Sequence, residues 1–323
     1  MNTSKLRGRR ITTTVNQLFF AGALAFGLVT VLRHKDQLRI AVSSIGIAAT
    51  TASLAFAVAG VALSSQVWRR GILALGVRPE GRQAERVFFT TQIGKYVPGL
   101  VWPYAAQLRF ARQVGLTKAK MLVVQVVFLA THVVTGIAAG ALALPLLIFD
   151  GKFAAASAWL ILPAVGCLAI LHPRVLEAIA NRLRRDPADE IVVDGREIAL
   201  GAATMFVTWV LYGLSTAMLA VRLTTSFGEA LTLAFAGFAV AWVVGFLVLV
   251  APAGVGAREM ALVAILGTLL TRSEATGVAV LSRALMSAAD LLLALAAVVV
   301  IRRRIDRPET YGADSRVTGV EVP

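Results

Sequence analysis

Eight apolar runs, most of them near twenty residues long, set the terms for any fold of this chain. They cover 15–32, 40–65, 121–149, 153–171, 198–221, 230–250, 255–271 and 275–301. A helix needs about 20 apolar residues to cross the ~30 Å hydrocarbon layer. Inside that layer every backbone polar group must be satisfied within the segment, so helices and closed barrels are the only spanning forms. The short alternating segments of an outer-membrane barrel are absent. Composition agrees: 58% of residues are hydrophobic, only 15% are charged, and the mean hydropathy is +0.77. A soluble domain carries about 25% charged residues. The expected fold is an all-α polytopic transmembrane bundle of about eight spans, with at least one re-entrant or broken helix element.

The formal charge of +14 sits mainly between the runs. Arg69, Arg70, Arg78, Arg82 and Arg86 form one basic connection, Arg109, Arg112, Lys118 and Lys120 a second, and Arg182, Arg184, Arg185 and Arg196 a third. Arg302, Arg303, Arg304 and Arg307 close the last run. Basic loops stay on the cytoplasmic side, which predicts a multi-pass plasma (inner) membrane protein with both termini cytoplasmic. This placement points the charge at anionic membrane lipids and away from nucleic acid. The 33–39 connection is basic yet falls outside in this topology. Residues 1–14 read as a basic cytoplasmic tail, 15–305 as a single transmembrane domain with possible halves 15–150 and 151–305, and 306–323 as a disordered tail. The 173–185 stretch reads as a surface amphipathic helix, and 272–274 as a turn. The single cysteine, Cys167, excludes an internal disulfide, and no metal-ligand spacing appears.

Two Gly/Pro interruptions break the apolar pattern, at 94–103 and at 251–259. A broken helix survives in lipid only where protein or a wet cavity covers the exposed backbone. A helix restarting there aims its N–H groups and positive dipole end at the cavity. Paired interruptions in two halves of a transporter mark the substrate site. The apolar runs flanking Pro98 and Gly99 are too short to cross, so 87–108 is expected to be re-entrant. The expected headgroup-binding residues are Lys95, Tyr96, Pro98, Gly99, Trp102 and Arg109 at the first break. At the second they are Gly254, Gly256, Arg258 and Glu259. The alternatives are an interfacial aromatic belt for the first group and a surface ion pair for the second.

Asp290 lies near the middle of the last run. A charge there costs ~3 kcal/mol on insertion scales, so it is either half of a structural pair, with Arg258 as a candidate partner, or a substrate or proton group. Arg283 and Ser287 precede it on the same helical face. His132 and Gln125, seven apart, share a face of the 121–149 run, His132 being either a hydrogen-bonded core residue or a proton relay. Gly136 and Gly140 form a small-xxx-small pair that predicts close helix packing. No nucleophile–base set, nucleotide-binding loop or dinucleotide fingerprint is present. An enzymatic activity and a cofactor are therefore not expected.

The segment GKYVPGLVWPYAAQLR at 94–109, with PAGVGARE at 252–259, resembles the lysylphosphatidylglycerol synthase transmembrane region family, flippase-like integral membrane proteins. The early match lies at Tyr96, Pro98, Gly99, Trp102 and Arg109, and the late one at Pro252, Gly254, Gly256, Arg258 and Glu259. Ala253 stands where the family commonly has Gly. The resemblance implies a helical domain that moves phospholipids or polyprenyl-phosphate-linked sugars between leaflets. It does not imply lipid aminoacylation, since no soluble transferase domain is expected here. The leading expectation is thus a lipid translocase binding an anionic phospholipid or polyprenyl-phosphate headgroup between two broken helices. The alternatives are a membrane enzyme acting on a lipid phosphate and a non-transporting accessory of a lipid-linked glycosyltransferase. A homo-oligomer is left open.

Overall fold

The computed structural model describes residues 35–96, 102–147, 169, 171–183, 191–247 and 256–305, and all the elements among them are helical. In chain order these are α1 (Lys35–Ile45), α2 (Ile47–Leu73), α3 (Gln83–Gln92) and a 3₁₀ turn (Ile93–Tyr96). There follow α4 (Trp102–Phe110), a second 3₁₀ turn (Ala111–Val114), α5 (Lys118–Leu147) and α6 (Pro173–Leu183). The remainder are α7 (Gly195–Ala220), α8 (Phe227–Leu247), α9 (Ala257–Leu266) and α10 (Arg272–Ile305). Five of these, α2, α5, α7, α8 and α10, are long and apolar enough to cross a membrane. The predicted runs at 15–32 and 153–171 lie outside the described residues, apart from the last few positions of the second.

Three expectations about boundaries need correction. The 40–65 run is not one helix. It breaks at Gly46, whose φ of 93° is outside the helical region, and the long apolar helix starts at Ile47 and continues to Leu73. The side chain of Arg222 lies where a Cβ on residue 46 would sit, with its Nη1 2.9 Å away. The 255–271 run is also not a full span, because α9 has only ten residues, or about 15 Å of helix. Finally, 272–274 is not a turn. The Glu274 carboxylate accepts from the Thr271 N–H at 2.9 Å and the Thr271 hydroxyl at 2.7 Å, a reciprocal cap that starts α10.

Small residues and buried polar bonds tie the long helices together, as expected where lipid offers no hydrophobic drive. The Ser53 and Ser215 hydroxyls lie 3.0 Å apart between α2 and α7. Trp209 of α7 donates to Thr135 of α5 at 2.9 Å. A Cβ on Gly136 would strike the Trp209 ring at 2.7 Å, and one on Gly140 would meet Val240 at 3.2 Å. The glycine pair therefore serves packing within the bundle. The outward faces are apolar: Phe206, Val207 and Val210 of α7 and Leu292, Leu295 and Val299 of α10 are all exposed.

One end of the bundle gathers three of the basic connections. Ala74, after α2, accepts from the Asp194 N–H at 2.8 Å, and Arg70 pairs with Glu197 at 2.7 Å. Leu116, Leu171, Leu176, Ile191 and Val193 share a buried cluster with Ala74. The amphipathic α6 is docked there by Glu177, which accepts from the Val193 N–H at 2.9 Å. At the other end Ile45, Leu219, Leu233, Leu270 and Ala275 pack together. Helix α10 starts in that second cluster and runs toward the basic end.

Candidate functional site

The flanks of both interruptions converge on α10. On the first side, α3, the 93–96 turn and α4 form a hairpin. Phe88 packs on Trp68 and Phe128, and the carbonyl of Tyr104 accepts from Gln125 at 3.0 Å, so both arms sit against α5 near the basic end. The arms meet at Gly94, where a Cβ would lie 2.9 Å from the backbone nitrogen of Pro103. Backbone atoms cannot rotate out of the way, so only glycine fits this crossing. Ile93 and Tyr96 then pack against Ala294 of α10.

This contact delivers two polar side chains to Asp290, which is buried with 5% of its side chain exposed. Lys95 Nζ lies 2.7 Å from Asp290 Oδ2, and the Tyr96 hydroxyl donates to the same oxygen at 2.6 Å. Ser287, one turn away on α10, faces the Tyr96 hydroxyl. Asp290 Oδ1 has no hydrogen-bond partner among the described residues. The structure thus pairs Asp290 with Lys95, where the sequence suggested Arg258. The spacing of 195 residues between Lys95 and Asp290 hides this pair from any local pattern.

On the second side, α9 runs antiparallel to α8, with Arg258 against Gly245 and Leu262 against Gly237. Gly256 caps the helix at φ 89°, and its N–H donates to the Glu259 carboxylate at 2.7 Å. The other Glu259 oxygen lies 3.6 Å from Arg283 Nε on α10. Arg283 Nη2 is buried without a partner among the described residues. Arg258 takes a different neighbour: its guanidinium lies over the Phe238 ring, 4.5 Å from the centroid. Its electrostatic neighbours include Arg283, Glu259, Tyr212 and Tyr96, which brings the two broken segments into one charged region.

Aromatic rings wall this region. His132 stacks on Trp242 at 4.9 Å and meets the edges of Phe128 and Trp209 at 4.7 and 5.9 Å. Its Nδ1 has no partner among the described residues, and Lys95 is within electrostatic reach. Tyr212, within electrostatic reach of Asp290 and Arg258, is a member that the sequence reading missed. So is the aromatic stripe Phe235, Phe238, Trp242 and Phe246 on α8, although its spacing of three, four and four places it on one helical face.

The other expected residues are placed as follows. Trp102 is 43% exposed at the start of α4. Arg109 is exposed in the last turn of α4, at the opposite end of that arm from Lys95. Pro98, Gly99, Pro252 and Gly254 lie outside the described residues. Among the described residues no group of three His, Cys, Asp or Glu side chains gathers as a metal site.

No protein-family model matches the chain, and no curated protein matches it in sequence.

Proposed function

We propose that the protein is a lipid translocase of the inner membrane, with both termini cytoplasmic. The headgroup of an anionic phospholipid or polyprenyl phosphate binds where the two broken segments meet on α10. The observation that carries this reading is the partly buried charged region in which Lys95, Tyr96 and the buried Asp290 lie together with Arg258, Glu259 and Arg283. These residues hold three cations against two carboxylates. Buried charges are costly and are retained in membrane segments chiefly where they pair or serve a ligand. The excess positive charge attracts one lipid phosphate.

Arg258 is the residue for that phosphate. It makes no ion pair among the described residues, whereas Lys95 and Arg283 each already face a carboxylate. The guanidinium fork suits a phosphate's paired oxygens. The first turn of α9 adds N–H donors beside it. In this reading the α3–α4 hairpin is a re-entrant element entering from the basic, cytoplasmic end, and α9 is a half-membrane helix. The resemblance at 94–109 and 252–259 supports the same assignment.

Reconstitution tests it. The full chain goes into phosphatidylcholine vesicles carrying labelled phosphatidylglycerol or a labelled polyprenyl phosphate. Wild-type protein should speed transfer between leaflets of at least one probe, and Arg258→Ala should abolish the gain. Equal rates with and without protein for both probes would remove the translocase reading.

A further inference from the structure

Asp290 is the least explained member of the site. A binding pocket for an anion gains nothing from a buried carboxylate aimed at its own lysine. We infer that the protein carries one proton with each lipid anion, and that Asp290 holds the proton. The inference rests on the translocase reading and adds a second transported species to it.

The geometry gives the reason. Asp290 Oδ2 takes both available donors, Lys95 Nζ at 2.7 Å and the Tyr96 hydroxyl at 2.6 Å. Its Oδ1 is buried and has no hydrogen-bond partner among the described residues. Lys95 is far more open than its partner, with 35% of its side chain exposed against 5% for Asp290. In this inference the phosphate held by Arg258 also reaches the half-exposed Lys95. One lysine then serves two anions, and the carboxylate that cannot leave the interior is short of a partner. Like charges sharing a site cannot both stay ionised at low cost. A hydronium ion gives its proton to Asp290 Oδ1: one O–H bond of the hydronium breaks, one O–H forms on the carboxyl group, and a neutral water is left.

Charge conservation favours the same step. The empty site holds Lys95, Arg258 and Arg283 against Glu259 and Asp290, an excess of one positive charge with His132 neutral. With one phosphodiester and one proton added, the excess is again one. The loaded and empty proteins therefore face the hydrocarbon layer with the same charge, and the lipid crosses without moving net charge. The charged and titratable groups of this region come from five elements. Lys95 and Tyr96 come from the hairpin, Ser287 and Arg283 from α10 itself and Tyr212 from α7. His132 of α5 lies beyond Lys95, and Arg258 and Glu259 of α9 complete the surround.

The test uses vesicles as above, with phosphatidylglycerol and a polyprenyl phosphodiester as separate probes, under an imposed pH difference or an imposed potential. For one-to-one coupling a difference of one pH unit sustains about a tenfold enrichment of probe in the leaflet facing the alkaline side. A potential alone gives none. Asp290→Asn keeps the shape and an acceptor for both donors, and whatever probe it moves should show no pH-driven enrichment and should follow the potential. A second measurement needs no transport. In weakly buffered detergent, short-chain phosphatidylglycerol should draw about one proton per wild-type protein from a pH indicator, and none with Asp290→Asn. Wild-type movement that ignores the pH gradient and follows the potential would overturn the inference while leaving the translocase reading standing. Movement of neither probe would sink both.

Discussion

Lys95 and Asp290 carry the residue-scale argument. Removing Lys95 leaves a buried carboxylate with only Tyr96 as donor, and breaking a buried pair costs about 3–5 kcal/mol. The half-open lysine puts the expected loss at the lower end, about 3 kcal/mol. Lys95→Ala and Asp290→Ala should each lower the thermal midpoint of the detergent-solubilised protein. The double variant should recover part of the loss, with a coupling energy on the order of 1–3 kcal/mol. Strictly additive losses would mean that the pair is not formed. At this scale the sequence was only partly readable. It exposed Asp290, Arg283 and Arg258 because charges stand out in an apolar run. It could not pair them, because Lys95 and Asp290 lie far apart in the chain and meet only through the hairpin. Tyr212 was invisible for the same reason: a tyrosine in an apolar run reads as core until a neighbour gives its hydroxyl a task.

At the scale of elements, the interrupted segments depend on α10 as their common wall. Ile93 and Ala294 belong to one buried cluster with Tyr96, so Ile93→Cys and Ala294→Cys placed together should form a disulfide on mild oxidation. Failure to cross-link in membranes would separate the hairpin from α10 and dismantle the site. The amphipathic helix at Pro173–Leu183 was legible from its periodicity, and the Gly/Pro break fell where α3 and α4 are separate helices. The extent of α2 and α9 was not. Hydropathy continues smoothly through Gly46 and past Leu266, so apolar content alone cannot mark a helix end that backbone geometry decides. The Thr271–Glu274 cap was written in the sequence as a T-x-x-E pattern, and a reading by charge alone mistook it for a turn.

For the whole molecule, the all-helical class followed from composition, since five described helices are long and apolar enough to cross. The connections holding Arg78, Arg112 and Arg196 lie at one end of the bundle, as the contact of Ala74 with Asp194 and the shared cluster with Leu116 require. Single cysteines at these three positions, in a chain whose Cys167 is replaced by Ala, should react with an impermeant thiol reagent only after the inner face is opened. Labelling of any one of them from the outside would break the proposed orientation.

The central claim is that the two broken segments present one charged region to a lipid phosphate. Photocross-linking from the headgroup tests it most directly. The full chain in membranes would be irradiated with phosphatidylglycerol bearing a photoreactive group on its glycerol headgroup, and the modified peptides mapped by mass spectrometry. The account predicts cross-links concentrated on 93–103, 252–262 and residues 283–290 of α10, all lost together in Arg258→Ala. Cross-links confined to the basic connections and the outer helix faces, unchanged by Arg258→Ala, would contradict it.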